Sequence, residues 1–324
     1  AKKAENAFRI ASLTTTDPCM GNDKVLKQMK DKKLEALGEP KKDAVRFNEA
    51  CDSLIYGDHP WSVDIDSSAV EGVDMRLVGE IYRREFNPSL GMTVFIAGDL
   101  DEGKVKEYVC KYIASIPDGD KSVRKSGIKE RVPSFKGVSE FSMTGKKEIN
   151  PYTLVSRIFS SKVKPATESI AAVDFVDYIL SQRLLNQIRE KRGGTYTIRF
   201  NSTVSVREKG RSESEITFKT RPDLYRALVG DLDDIIAGFN ACGPTEKELE
   251  EARTWLIKNN LESKAKRSES MSHRNSQVMN YIRNGIDPNT DWEAAYKKVS
   301  AEDVRKAAGK LTGRNALTVI YTEE

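Results

Sequence analysis

The chain has 324 residues, with 53 Lys and Arg against 49 Asp and Glu for a formal net charge of +4, and 31% charged against 38% hydrophobic residues. That balance describes a globular protein of about two domains and excludes disordered and fibrous classes. Only two histidines occur, His59 and His273, too far apart for an H-x-x-E-H or H-E-x-x-H zinc motif, and no apolar run approaches the roughly 20 residues of a membrane span.

In chain order, Leu26, Met29, Leu34 and Leu37 fall at helical spacing over 24–37, and Gly38-Glu39-Pro40 stops that helix. A second helix is predicted over 41–56, ending in the turn Gly57-Asp58-His59-Pro60, and a third over 75–86, ending at Asn87-Pro88. The β-rich run Met92-Thr-Val-Phe-Ile-Ala97 reads as a buried strand. Asp101 is placed to cap the next helix, which reaches Pro117. From Asp118 the composition turns to Gly, Ser, Lys and Arg, the character of a linker.

Strands follow over 135–143 and 153–159, separated by a turn at Gly145-Lys146-Lys147. A long helix over 166–191 carries the stripe Val173, Val176, Leu180, Leu184 and Ile188 and ends at Gly193-Gly194. Tyr196, Ile198 and Phe200 alternate into a β-hairpin whose partner strand holds Ile216 and Phe218 across Lys209-Gly210. Helices are predicted over 224–239, over 246–263 behind a Thr245-x-x-Glu248 capping box, and over 271–283, 291–299 and 301–311. The strand 316–321 closes the chain. Blocks of strands and helices with antiparallel connections give an α+β class, antiparallel sheet covered by helices.

The two ends match in order. Gly57-Asp-His-Pro60 returns as Gly285-Ile-Asp-Pro288, 228 positions on, and Met92-Thr-Val-Phe-Ile96 as Leu317-Thr-Val-Ile-Tyr321, 225 positions on. A period this long indicates duplicated domains rather than a solenoid. The expected organisation is a C-terminal remnant of one domain over 1–117, a linker over 118–134 and a complete domain over 135–324. The start at Ala1, without methionine or apolar signal segment, fits a cropped or processed piece. Cys19, Cys51, Cys110 and Cys242 form no C-x-x-C pair and read as buried or incidental thiols. Acids interleave with bases, as in Glu246-Lys247-Glu248, so the surface is charge-mixed rather than a nucleic-acid face.

One segment stands out chemically, Arg189-Glu-Lys-Arg-Gly-Gly-Thr-Tyr196. A guanidinium at a helix end and a phenol seven residues later, across a glycine turn, can converge on one carbonyl oxygen and steady developing negative charge. The other reading makes Arg189 a helix C-terminal cation favoured by the macrodipole and Tyr196 the first core residue of a strand. His59 reads as a turn residue and His273 as a surface or packing residue of a helix. Met271, Trp255 and Trp292 read as core or partial surface. Gly98-Asp-Leu-Asp101 and Gly230-Asp-Leu-Asp233 share a sequence, but the second lies inside a helix, so neither is read as a calcium site.

The helix-Arg-x6-Tyr-strand segment resembles the C-terminal-half motif of the pitrilysin/insulinase family of zinc metallopeptidases, which includes mitochondrial processing peptidase. Tyr56-Gly-Asp-His-Pro60, Phe95-Ile-Ala-Gly-Asp-Leu-Asp101, Tyr112-Ile-Ala-Ser-Ile-Pro117 and Pro244-Thr-Glu-Lys-Glu-Leu249 fit the same family in the same order. The resemblance implies a clamshell of four homologous α+β domains of mitochondrial processing peptidase type. Its N-terminal half carries zinc on an inverted H-x-x-E-H motif, whose glutamate serves a zinc-bound water as general base. Its C-terminal half closes over the peptide. By this analogy Arg189 and Tyr196 are catalytic, supporting the substrate carbonyl and oxyanion, and Arg189, Gly193, Gly194 and Tyr196 bind substrate. The zinc motif is absent here, so the expected role is the substrate-gripping portion of a zinc metalloendopeptidase, inactive alone. Zinc would sit in an N-terminal half on the same parent chain or a partner subunit, with peptides as substrates and neither nucleic acid nor a membrane span involved. The alternative is a non-catalytic family member acting as scaffold or partner subunit. A bacterial parent would favour the periplasm by analogy with exported relatives, and otherwise the cytoplasm.

Overall fold

The computed structural model describes residues 2–18, 21–62, 64–123, 131–146 and 149–323. Two compact units emerge, one from 1–41 with 63–131, the other from 42–62 with 132–324.

The helices in chain order are α1 (Lys2–Thr16), α2 (Asp23–Gly38), α3 (Asp43–Tyr56), α4 (Ser67–Glu71), α5 (Met75–Glu85) and α6 (Glu102–Tyr108), the last continuing as a π-helical turn over Val109–Ile113. The first unit holds all of these except α3. Its helices α2, α4, α5 and α6 start where a carboxylate or amide side chain accepts a free N–H. Asp66 takes that of Ala69 at 2.7 Å, Asp74 that of Leu77 at 2.7 Å and Asp101 that of Lys104 at 2.9 Å. Its core is thin: Phe8 against Tyr108, ring centroids 5.5 Å apart, with Val70 also buried, while α2 buries no side chain.

The second unit is built on a five-stranded sheet of β1 (Val138–Gly145), β2 (Thr153–Lys162), β3 (Arg199–Ser205), β4 (Arg211–Thr220) and β5 (Ala316–Glu323), in the order β1-β5-β2-β4-β3. Helices α7 (Thr167–Leu184), α8 (Tyr225–Cys242), α9 (Glu246–Glu269), α10 (Met271–Asn284), α11 (Trp292–Lys298) and α12 (Ala301–Thr312) complete it. The class is α+β as expected, but the sheet is mixed: β1 runs parallel to β5, the other three pairings being antiparallel. The parallel pair joins strands from opposite ends of the unit, which hairpin spacing cannot reveal.

The period-2 geometry of β5 buries both its faces. Ala316 and Ile320 join the main core with the stripe Val173, Val176, Leu180, Leu184 and Ile188, whereas Leu317, Val319 and Tyr321 pack with Phe47, Cys51 and Ile55 of α3. Helix α3, assigned by sequence to the first domain, therefore belongs to the second unit, and Ser134 fixes the returning chain by donating its N–H to Ile55 O at 2.7 Å. Of the linker expected over 118–134, residues 124–130 lie outside the described residues, and so does Cys19. The part before them is tied into the first unit, because Asp120 O accepts from Asn87 Nδ2 and from Ser89 Oγ, each at 2.8 Å.

Helices recur at an offset of 225. Shifted by that amount α1 falls on α8, α2 on α9, α4 on α11, α5 on α12, and Met92–Ile96 on β5. The local outcome differs at the last step. Residues 92–97 form no strand, and Met92, Val94 and Phe95 are 46%, 43% and 41% exposed. Among the described residues this run has no neighbouring strand to pair its N–H and C=O groups.

Candidate functional site

Helix α7 ends through a π-helical turn, Leu185–Lys191, which carries Arg189 outward while Ile188 stays in the core. Gly193 then adopts φ +62° and donates its N–H to Arg189 O at 2.9 Å, a left-handed turn that suits glycine. Gly194 is required for a different reason: a Cβ there would lie 2.6 Å from Cδ1 of Leu228 on α8. Thr220 Oγ1 donates to Gly194 O, and Arg192 forks onto Asp231 with both bonds at 2.8 Å. The glycine turn is thus clamped to the sheet and to α8.

That clamp brings Arg189 and Tyr196 together, the guanidinium carbon 5.6 Å from the ring centroid. The strand begins at Arg199, so Tyr196 precedes it, and with 84% exposure it is no core residue. Arg189 is exposed too and has no ion pair or hydrogen bond from its guanidinium among the described residues. The structure therefore presents five guanidinium donors beside one phenolic O–H on an open surface, held by a cation–π contact. Gly193 and Gly194 shape the turn.

Neither histidine gathers ligands. His59 Nδ1 accepts the N–H of Trp61 at 3.1 Å within its turn. His273 Nε2 lies 2.9 Å from Ser263 Oγ and 3.2 Å from Gln277 Nε2. Among the described residues no three His, Cys, Asp or Glu side chains come close enough to hold a metal ion. Burial pushes the Cys51 thiol up to about 11, with Asp52 adding to the effect, which makes it unreactive, while Cys110 and Cys242 are exposed.

Sequence reasoning passed over a second feature more than three turns upstream on the same helix. Asp174 and Asp177 interrupt the apolar stripe of α7 and line a cavity of about 530 Å³ with Tyr178, Trp255, Ile198 and Arg199 among its other walls. Tyr296 donates to Asp174 Oδ2 at 2.7 Å; Ser202 donates to Asp177 from its N–H at 3.0 Å and from Oγ at 2.6 Å. Burial pushes Asp174 up to about 6 and, helped by the charge of Asp174, Asp177 up to about 7, against these hydrogen bonds. The available signal was two acids at i and i+3 inside an otherwise apolar helix face.

Residues 78–256 match the sequence model of the peptidase M16 inactive domain. No curated protein sequence matches the chain. Among solved structures, the periplasmic protease PqqL from Escherichia coli superposes with a TM-score of 0.74 at 19% identity, over 94% of this chain and 33% of that one. The peptidase M16 inactive domain from Pseudomonas fluorescens gives 0.71 at 18% identity, over 100% of this chain and 76% of that one. A predicted insulinase family protease from Yersinia pestis gives 0.70 at 14% identity, over 100% and 70%. The chain thus spans about a third of the length of PqqL, and these likenesses establish a shared fold. With the family model covering more than half of its residues, the chain belongs to the M16 peptidase family and carries the inactive type of domain.

Proposed function

We propose that this chain is the C-terminal, substrate-gripping portion of a zinc metalloendopeptidase that hydrolyses peptides inside a closed clamshell chamber. The observation that supports this most is the exposed pairing of Arg189 with Tyr196 across the Gly193-Gly194 turn. On this reading the metal sits in a separate N-terminal half, where it would activate the attacking water. What Arg189 and Tyr196 contribute is donors. The guanidinium fork and the phenol O–H grip a peptide carbonyl and favour the charge that builds on its oxygen in the transition state. The ordered recurrence of α8, α9, α11 and α12 as α1, α2, α4 and α5 supports reading the first unit as the later part of a second copy of the same domain, completed by its partner half.

The test pairs the chain with a zinc-bearing half and follows cleavage of a quenched fluorescent peptide. Alone, the chain is expected to show neither hydrolysis nor stoichiometric zinc binding; clean single-site zinc binding with activity would sink the proposal. In the assembled enzyme, Arg189→Ala or Tyr196→Phe is expected to lower kcat by about 10²-fold, the usual loss for one oxyanion donor. Unchanged kcat and unchanged peptide capture in both variants would reduce the pair to a packing contact. The match to an inactive-domain family supports a second reading, a non-catalytic scaffold or partner subunit. Under that reading the same substitutions weaken peptide capture and leave kcat alone.

A further inference from the structure

We infer that the cavity walled by α7, β3 and α9 binds a cationic side chain, an ammonium or guanidinium of the kind a lysine or arginine residue of a peptide presents. About 530 Å³ accommodates such a group with its methylene stem. The stem has an apolar wall in Leu185, Ile198 and Phe200. The charged end has two kinds of partner. Tyr178 and Trp255, ring centroids 5.0 Å apart, offer aromatic faces. Asp174 offers an acceptor that the protein leaves unused: its Oδ2 is bonded to Tyr296, but no donor among the described residues reaches Oδ1.

The charges that face the cavity are Asp174 and Asp177 from α7 and Arg199 from β3, with the neutral phenols of Tyr178 and Tyr296. Two acids against one exposed arginine leave the site net negative. No lysine lines it, so the chain supplies no ammonium of its own among the described residues. Burial penalises both carboxylates, as their raised values show. A cation at the floor is the ligand that offsets this penalty, since it holds both groups ionised and completes the hydrogen bonding of Asp174. The inference stands apart from the role of Arg189 and Tyr196, because it concerns binding to this chain alone.

Isothermal titration of the full chain at pH 8 with Nα-acetyl-arginine amide tests it, with the isosteric but neutral Nα-acetyl-citrulline amide as comparison. Saturable one-to-one binding is expected for the arginine probe, with citrulline weaker by about tenfold or more, as befits loss of a charge-assisted contact. Asp174→Asn should weaken the arginine probe by a similar factor. Trp255→Ala, at a 46% exposed position whose truncation leaves the core intact, should weaken it several-fold and decides the matter if Asp174→Asn misfolds. Equal affinity for the two probes, absence of saturable binding, or unchanged affinity in the folded variants would overturn the assignment.

Discussion

Val94 and Val319 occupy equivalent places in the repeat, in Thr-Val-Phe-Ile and Thr-Val-Ile-Tyr, yet one is 43% exposed in an unpaired run and the other 4% exposed in an interior strand of a sheet. Local sequence does not account for the difference. Val319 has β1 on one side, β2 on the other, α3 beneath it and the main core above its neighbours. Val94 has no strand partner among the described residues. A β-propensity therefore becomes a strand only when other segments take up its backbone hydrogen bonds, whereas a helix closes its i→i−4 bonds within its own segment.

The largest expected effect tests this contrast directly. Val319→Asp places a carboxylate between α3 and the sheet and should cost more than about 4 kcal/mol, unfolding the second unit or shifting its urea midpoint drastically. Val94→Asp should change stability by about 0.5 kcal/mol or less, as at other exposed positions. Equal destabilisation by the two would mean that 92–97 is packed as deeply as β5, and the contrast would fail.

Next in size is the glycine turn. Gly194→Ala drives a methyl against Leu228 and should cost about 1–3 kcal/mol, the range for overpacking, while displacing the chain that carries Tyr196. Gly193→Ala has open space and meets only the left-handed backbone, so about 1–2 kcal/mol is expected. A reversed order in urea titrations would show that α8 does not hold the turn.

What could be read from the sequence follows the same division. Helices were legible because their signals lie within a few residues: Asp101 does cap α6, and Thr245 with Glu248 does form the capping box of α9, with bonds of 3.3 and 2.7 Å. The stripe on α7 is buried as predicted. Features set by distant partners were not legible. The parallel pairing of β1 with β5, the membership of α3, and the unpaired state of 92–97 all depend on contacts across a hundred or more residues, apart from which the local patterns look alike. At the candidate site, Arg189 and Tyr196 could be picked from spacing and resemblance. Their contact and exposure could not, because alternation with Ile198 and Phe200 suggested a strand that starts only at Arg199. Asp174 and Asp177 escaped notice because a helix pattern shows which face is buried but not that a cavity opens within it.

The last comparison separates the units by pH. Asp174 and Asp177 titrate near 6 and 7 in the folded protein, against an ordinary 3.8, so the native state retains protons that the unfolded chain has released. Stability of the second unit should therefore fall as pH rises from about 4 through about 7. Glu248 acts in the opposite direction. Burial would raise its pKa, but hydrogen bonds from Arg183 at 2.7 and 2.8 Å and from Thr245 hold it at about 2, so its contribution is complete above an ordinary 4.5 and lost as pH falls through 2. In the first unit, Glu5 is held low by Lys111 and Tyr112, and Asp120 by Ser122, which gives no decline over the higher range. Hydrogen exchange, compared at pH 5 and 8 after correction for intrinsic rates, should show weakened protection in α7 and β3 but not in α1 and α6. Asp177→Asn should flatten that loss, since the amide carries no charge to desolvate. A loss that persists undiminished in Asp177→Asn, or one shared equally by α1, would assign the pH response to groups outside the cavity.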